Sequence, residues 1–400
     1  MERDVHDLLN KVVGEPPRRV TVTVVRRRVV RRRATQAVSA GLAAVLVSTL
    51  GAAFAAGAIK LGARPGPTSP VQSGPPRYYV VSEGGAQPGF VRDRATGRVT
   101  ATIRNPLPSL RCGGPFAAAR GQTFFMICGG TGAGFDSVIY RFHVTSVGRV
   151  TGYAPVPGGT FKGELADRIA AAPDGSEVAA EVLRPGPSGH IYTNSIPVGI
   201  FVISTRSGHR ALWRSGPDVP GTVEFAGTID LSFTRDGSEL AVNESRCHRG
   251  RYESDCNGSS STEQVRAYSP AARPGSLNAG RVLLRPSSLA PRGTSLLDAF
   301  ITPDGSALTA YLNKCPRHGT CTETAVRIPL AGGPVQVLYR VRSGTSYAGV
   351  FERFFGTDPT GRYLILDAGA GKARVNGWID HGRLRPLTPA NGDDVAYESW

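Results

Sequence analysis

The sequence predicts an all-β chain folded as a six-bladed β-propeller, with five or seven blades as the alternatives, preceded by one transmembrane helix. Three observations carry that expectation. Glycine and proline supply 50 and 30 of the 400 residues without a collagen period, which favours short strands and tight turns over long helices. A strand-turn-strand unit built on Asp-Gly recurs along the chain at spacings close to those of propeller blades. One stretch of 23 residues, 37–59, carries no charge. The overall 40% apolar and 20% charged content is ordinary globular chemistry and excludes a wholly disordered chain.

Taken in order, residues 1–36 read as a basic cytoplasmic tail, with ten Lys/Arg against four Asp/Glu. Val5, Leu8, Leu9, Val12 and Val13 have helical spacing, so a short amphipathic helix is expected before Pro16-Pro17. The run Arg26-Arg27-Arg28-Val29-Val30-Arg31-Arg32-Arg33 then abuts segment 37–59. As a helix that segment would be about 34 Å long against a hydrocarbon core of about 30 Å. Arginines at its N-terminal end are held inside, so the remainder is expected outside the membrane. A cleaved secretory signal is the rival reading, since Ala53-Phe54-Ala55 has the form of a signal-peptidase site. Residues 60–77, rich in Pro and Gly, form an extended linker. The formal charge of +16 is thus partly a topology signal, and the arginine cluster beside an apolar span needs no nucleic acid to explain it.

Residues 78–400 hold the repeats. Pro173-Asp174-Gly175-Ser176, Arg235-Asp236-Gly237-Ser238 and Pro303-Asp304-Gly305-Ser306 each join a short apolar stretch to an alternating strand. Weaker copies centre on Arg120-Gly121 and Thr360-Gly361. Asp-Gly suits the positive φ that such a turn needs. A second hairpin follows downstream, at Gly97, Gly148, Gly208 and Gly333. With Tyr78 to Ile103 as a partial first blade the count is six, and Val395-Ala-Tyr-Glu-Ser-Trp400 is placed to close the ring. These units resemble the TolB-like, WD40-like β-propeller repeats of bacterial envelope proteins. The resemblance implies the fold and an envelope location, and no single activity, because such propellers serve unrelated roles.

Six cysteines fall as neighbours: Cys112 with Cys128, Cys247 with Cys256, and Cys315 with Cys321. Fifteen connectivities are open, and the short gaps within each pair favour local disulfides in an oxidising compartment. No Cys-x-x-Cys or paired Cys/His spacing supports a metal. Cys247 and Cys315 each lie 11 residues past the turn aspartate of their unit, where Pro185 stands in the preceding one. Loops 184–198, 244–263 and 313–323 are therefore expected side by side at one mouth of the channel. They carry Arg184, His190, Tyr192, Arg246, His248, Arg249, Arg251, Tyr252, Lys314, Arg317 and His318. That composition suits a basic face that docks an acidic protein or an anionic envelope polymer.

Catalytic signatures are scarce. There is no Gly-x-Ser-x-Gly elbow, His-Glu-x-x-His pair or phosphate loop. Gly129-Gly130-Thr131-Gly132-Ala133-Gly134 is followed by a strand pattern and lacks the helix a dinucleotide needs. Glu224, Asp230 and Asp298 approach innermost strands and are candidates to line the channel. The expected function is non-catalytic recognition or scaffolding at the cell envelope, with no cofactor. The alternatives are a transmembrane regulator whose tail restrains a cytosolic partner in the manner of an anti-sigma factor, and an envelope hydrolase or lyase using the channel carboxylates.

Overall fold

The computed structural model of the chain describes residues 76–82, 88–112, 114–130, 136–184, 196–214, 225–247, 261–285, 294–314, 321–343, 355–357, 364–368, 375–380, 383–386 and 397–399. They belong to one compact unit, Gly74–Trp400. The expected tail and membrane segment, and the linker up to residue 75, lie outside the described residues. No helix among the described residues is long and apolar enough to cross a membrane.

The strands form antiparallel sheets in chain order. The first holds β1 (Tyr78–Ser82), β2 (Gly89–Asp93) and β3 (Val99–Ile103). The second holds β4 (Leu110–Arg111), β5 (Phe116–Ala119), β6 (Thr123–Gly130), β7 (Ser137–Val144) and β8 (Val150–Phe161). The third holds β9 (Leu165–Ala171), β10 (Glu177–Arg184), β11 (Ile196–Ser204) and β12 (Arg210–Arg214). The fourth holds β13 (Phe225–Phe233), β14 (Leu240–Cys247), β15 (Ser261–Tyr268) and β16 (Arg281–Leu284). The fifth holds β17 (Thr294–Ile301), β18 (Ala307–Lys314), β19 (Cys321–Pro329) and β20 (Gln336–Ser343). The last holds β21 (Phe355–Thr357), β22 (Leu364–Ala368), β23 (Val375–Asp380) and β24 (Arg383–Pro386). The chain then returns as β25 (Tyr397–Ser399), which pairs with β1 through Val80↔Ser399, Val81↔Glu398 and Ser82↔Tyr397. Innermost strands β25, β5, β9, β13, β17 and β21 touch in a closed circle. The fold is an all-β propeller, closed by the terminal strand that the sequence places there.

One expectation is corrected. The count of six blades gives way to five, the lower alternative: five sheets are four-stranded blades, and the sheet from β4 to β8 departs from that pattern with five strands. Its first strand is broken in two. Leu110 and Arg111 pair with Gly130 and Gly129, and the same edge of β6 then takes Phe116 to Ala119 opposite Met126 to Thr123. The break holds Cys112, which forms the expected disulfide with Cys128 of β6. Cys321 is also disulfide-bonded and buried. Cys247 ends β14, and Cys256 and Cys315 lie outside the described residues.

The second to fifth sheets are buried on both faces, because a separate apolar core fills each interface described between neighbours. Phe124, Met126 and Cys128 of β6 pack with Tyr78, Val80 and Val91 of the first sheet. Phe125 and Ile127, one residue out of phase, pack with Ile169, Val178 and Ala180 of the third. Side chains alternate between the faces of a strand, so this strand reads as a continuous apolar run. The third and fourth sheets share Ala172, Val202, Trp213, Leu231 and Val242. The fourth and fifth share Ala241, Val265, Leu296, Ala299 and Leu308.

The Asp-Gly turns join first to second strands, as the repeat predicts. In the fifth sheet Thr302 donates to Asp304 Oδ1 at 2.6 Å and its hydroxyl oxygen accepts from Ala307 N at 3.0 Å. Ser306 N donates to the same carboxylate at 3.1 Å. Asp236 is held in the same way by Ser238 and Thr234. The serine N–H and hydroxyl, with the threonine, hold Asp236 down to about 2, and the Thr302 and Ser306 hydroxyls hold Asp304 to about 2. Gly305 has φ +66, and a Cβ there would stand 3.5 Å from Thr234 Cγ2 of the preceding sheet. The positive φ is what calls for glycine here, since a Cβ would find only an ordinary contact. Neighbouring turns are also bonded, Arg120 N to Pro173 O at 2.8 Å and Arg235 N to Pro303 O at 2.7 Å. Proline has no N–H to pass on.

Thr302 is buried, so Thr302→Val keeps its shape while leaving Ala307 N–H without its acceptor. The expected loss is about 1–2 kcal/mol, read as a lower urea midpoint. Asp304 should at the same time titrate closer to an ordinary carboxylate, checked by NMR. Because its folded pKa is depressed, its stabilising contribution is present above about pH 4 and fades as pH falls toward about 2.

Candidate functional site

Three channel positions are set by the repeat. Arg168, Asp230 and Asp298 each stand six residues before the turn aspartates Asp174, Asp236 and Asp304, on adjacent innermost strands β9, β13 and β17. All three strands are irregular at this point. Between Ala166 and Ile169 two residues of β9 stand against Glu181 alone, and β13 and β17 change register at Thr228/Asp230 and Leu296/Asp298. A β-bulge re-aims a side chain and bends its strand. The local irregularity coincides in all three blades with the charged residue.

Asp230 and Asp298 are half-buried, and the Arg168 side chain is 35% exposed. Burial pushes the Asp298 carboxyl up to about 7, against the lowering pull of Arg168. Asp230 is raised well above the carboxylate range by burial and then by repulsion from Asp298, eased by the Leu231 N–H and by Arg168. The Leu231 N–H donates to Asp230 Oδ1 at 2.6 Å. Arg168 also lies 3.7 Å from the Asp167 carboxylate. Asp298 thus disfavours a charge on Asp230, and Arg168 favours the charged form of both carboxylates.

Behind this group, Glu181, Asn243 and Tyr311 occupy equivalent positions on the second strands, seven residues after the turn aspartates. All three are buried. Tyr311 donates to the Glu323 carboxylate. Asn243 stands directly opposite Asp230 across the β13–β14 ladder. No group of three or more His, Cys, Asp and Glu suited to a metal occurs among the described residues.

The expected basic face is only partly within the described residues. Second strands end at Arg184, at Arg246 followed by Cys247, and at Lys314, on the rim opposite the Asp-Gly turns. Arg184 is exposed and bonds Glu164 Oε1 at 2.9 Å, and Lys314 is exposed. His190, Tyr192, His248, Arg249, Arg251, Tyr252, Arg317 and His318 lie outside the described residues, as does Glu224. On the turn rim an open cavity of about 570 Å³ is lined by Arg120, Arg235, Asp236, Glu239 and Asp304 among others. Its two aspartates are committed to their turns. Sequence reasoning anticipated Asp230 and Asp298 but missed Arg168 and Asn243. The signal was available as the fixed offsets from the turn aspartate.

No family model and no curated protein matches this chain. Among solved structures it is similar to TolB from Acinetobacter baumannii, at 14% identity and a TM-score of 0.49, over 81% of this chain and 65% of that one. It is similar to the periplasmic gluconolactonase PpgL of Pseudomonas aeruginosa at 17% identity and a TM-score of 0.37, over 78% and 99% of the two chains. It is similar to dipeptidyl peptidase 4 of Porphyromonas gingivalis at 12% identity and a TM-score of 0.37, over 79% and 46%. The chain spans less than two thirds of TolB and less than half of the peptidase. The propeller assignment rests on the sheets themselves, and these likenesses add nothing about activity.

An acid whose folded pKa is raised binds more protons folded than unfolded, so stability falls as pH rises between the two values. For the Asp230–Asp298 group that window runs from about pH 4 to about 7. Asp298→Asn should flatten the fall in this window relative to the parent, as followed by thermal unfolding at several pH values. An unchanged slope would mean that the carboxylates ionise freely.

Proposed function

We propose that this chain is an extracytoplasmic recognition module, anchored by segment 37–59, which docks an acidic partner on the rim opposite the Asp-Gly turns and does not transform it. The observation that carries this reading is the recurrence of a basic residue ten positions after the turn aspartate in three successive blades. Arg184, Arg246 and Lys314 follow Asp174, Asp236 and Asp304 at that offset. Each stands at the end of a second strand or one residue before it, so the ladder carries all three positions toward the same rim. Like charges placed together on a rim raise the local potential and steer an anionic partner toward it. The arginine run at 26–33 before an apolar segment supports the outward orientation.

A second reading, an envelope hydrolase or lyase, is favoured by the raised Asp298 carboxyl beside Asp230, since a general acid needs a proton near neutral pH. The two separate in one comparison. The combined Arg184→Ser, Arg246→Ser and Lys314→Ser variant of the full chain is mixed with purified cell-wall polymer and sedimented at low and at high salt. Three exposed pairs at roughly 0.5 kcal/mol each predict binding about tenfold weaker than the parent at low salt, with the difference shrinking at high salt. Binding indifferent to these charges, together with polymer breakdown lost in Asp298→Asn, would favour the hydrolase or lyase. Capture of a cytosolic protein that depends on residues 1–36 would favour the regulator.

A further inference from the structure

The third strand of a sheet ends level with the start of its second strand. Glu177 stands opposite Ser204, Leu240 opposite Tyr268 and Ala307 opposite Pro329. The hairpins from third to fourth strands therefore emerge on the rim of the Asp-Gly turns. Two are bonded to the turns themselves, Thr205 N to Ser176 O and Leu330 N to Ser306 O, each at 2.9 Å. First strands are innermost, so these hairpins form the outer part of that rim.

Their composition is one-sided. Arg98, Arg149, Arg206 and Arg273 are exposed in the hairpins of the first four sheets. Arg210 joins them, bonded only to neutral oxygens such as Thr160 O at 2.5 Å. Arg281 does not count, because it pairs with Glu239 at 2.6 Å. The acid at the first hairpin, Asp93, is buried and paired with Arg77 at 2.9 Å. In the last sheet Asp380 stands opposite Arg383 and balances it. Carboxylates gather instead on the inner turns, at Asp174, Glu177, Asp236, Glu239 and Asp304. The last three line the open cavity of about 570 Å³. A planar surface spans a cavity and touches what surrounds it.

Apolar side chains share the outer rim. Among the described residues the exposed large ones are Val99, Leu107, Val147 and Val337. Val147, 64% exposed, lies in the hairpin of the second sheet, and Val99 and Val337 stand at the starts of the fourth strands β3 and β20. Leu107 lies elsewhere, in the connection between β3 and β4. The described chain also begins on this rim, where the Arg94 N–H donates to Arg77 O at 2.8 Å and its Nε to Pro76 O at 3.1 Å. Linker 60–77 therefore joins the propeller among these hairpins. Arginines interleaved with exposed valines over four adjacent sheets are too widely spread for one small ligand, and they match the boundary between lipid headgroups and acyl chains. We propose that the outer part of the Asp-Gly rim rests on a bilayer of anionic phospholipid, with the arginines at the headgroups and Val99 and Val147 between them. The proposal rests on the anchored reading of segment 37–59, and it leaves the opposite rim free to dock a partner.

The full chain, reconstituted into vesicles of phosphatidylcholine alone or mixed with phosphatidylglycerol, is followed by hydrogen exchange and mass spectrometry. Hairpins 93–99, 145–149 and 205–210 should exchange more slowly in the mixed vesicles, with the difference lost at high salt. The ends of the second strands at Arg184 and Lys314 should not change. Each arginine near an anionic surface contributes roughly fivefold, so the combined Arg98→Ser, Arg149→Ser, Arg206→Ser and Arg273→Ser variant should exchange alike in both vesicles. Val147→Ser should shrink the difference at hairpin 145–149. Equal exchange of the parent in the two lipids, a difference that survives high salt, or protection confined to the opposite rim would overturn the proposal. So would equal protection by soluble polyglutamate in phosphatidylcholine vesicles, which would make the rim a polymer or protein site. Alkaline carbonate tests the anchor separately: chain extracted by it overturns the anchored reading, while the difference between lipids still reports on the rim.

Discussion

The structure depends on one constraint: every sheet must be covered on both faces by its neighbours. An isolated four-stranded sheet with Phe124 and Met126 on one side and Phe125 and Ile127 on the other would expose apolar surface twice over. Closing the ring removes that exposure for every blade at once, so the three-residue pairing of β25 with β1 matters beyond its length. The same constraint explains the turn chemistry. A rim turn must clear the preceding blade, and a Cβ placed on the positive-φ glycines at 175, 237 and 305 would stand 3.5 to 3.8 Å from Ala119, Ala172 and Thr234. Small residues at those contacts let the blades come together.

Double-sided burial leaves few places for charge. Where charge is found inside, it is mostly self-contained: Arg266 pairs with Glu244 at 2.8 Å, Gln264 donates to that carboxylate at 2.7 Å, and Arg266 also bonds the carbonyls of Asn278 and Gly280. Such a network reads as a brace between strands β14, β15 and β16. The channel group has a different character. Burial raises both of its carboxylates, Asp298 raises Asp230 further, and the Asn243 amide on the neighbouring strand is unpaired. Bracing explains the first set and not the second.

The sequence made much of this fold legible because the turn is a local device. Asp-Gly-Ser needs only its own hydroxyl, amide and carboxylate contacts, so its position fixed where first strands end and second strands begin. The closing role of the last residues was legible for the same reason, since the first sheet began one strand short. The broken first strand of the second sheet was not, because Arg120 replaces the turn aspartate, and the expected Cys112–Cys128 bond does not by itself tell that it interrupts a strand. Nor was Arg168: in regular alternation its direction is ambiguous, and a bulge that depends on the partner strand decides it.

A repeat fold separates what must recur from what is free to vary. At the turn, Gly175, Gly237 and Gly305 recur because the φ they adopt and the neighbour they meet are the same in each blade. Six residues before the turn aspartate the backbone requirement is again shared, yet the side chains change from Arg168 to Asp230 and Asp298. Seven residues after it they change from Glu181 to Asn243 and Tyr311. Geometry alone would be served by one residue type at each of these positions. Among β9, β13 and β17 the channel position changes from a base to two acids, so a repeat that fixes the backbone at this point leaves its charge to vary from blade to blade.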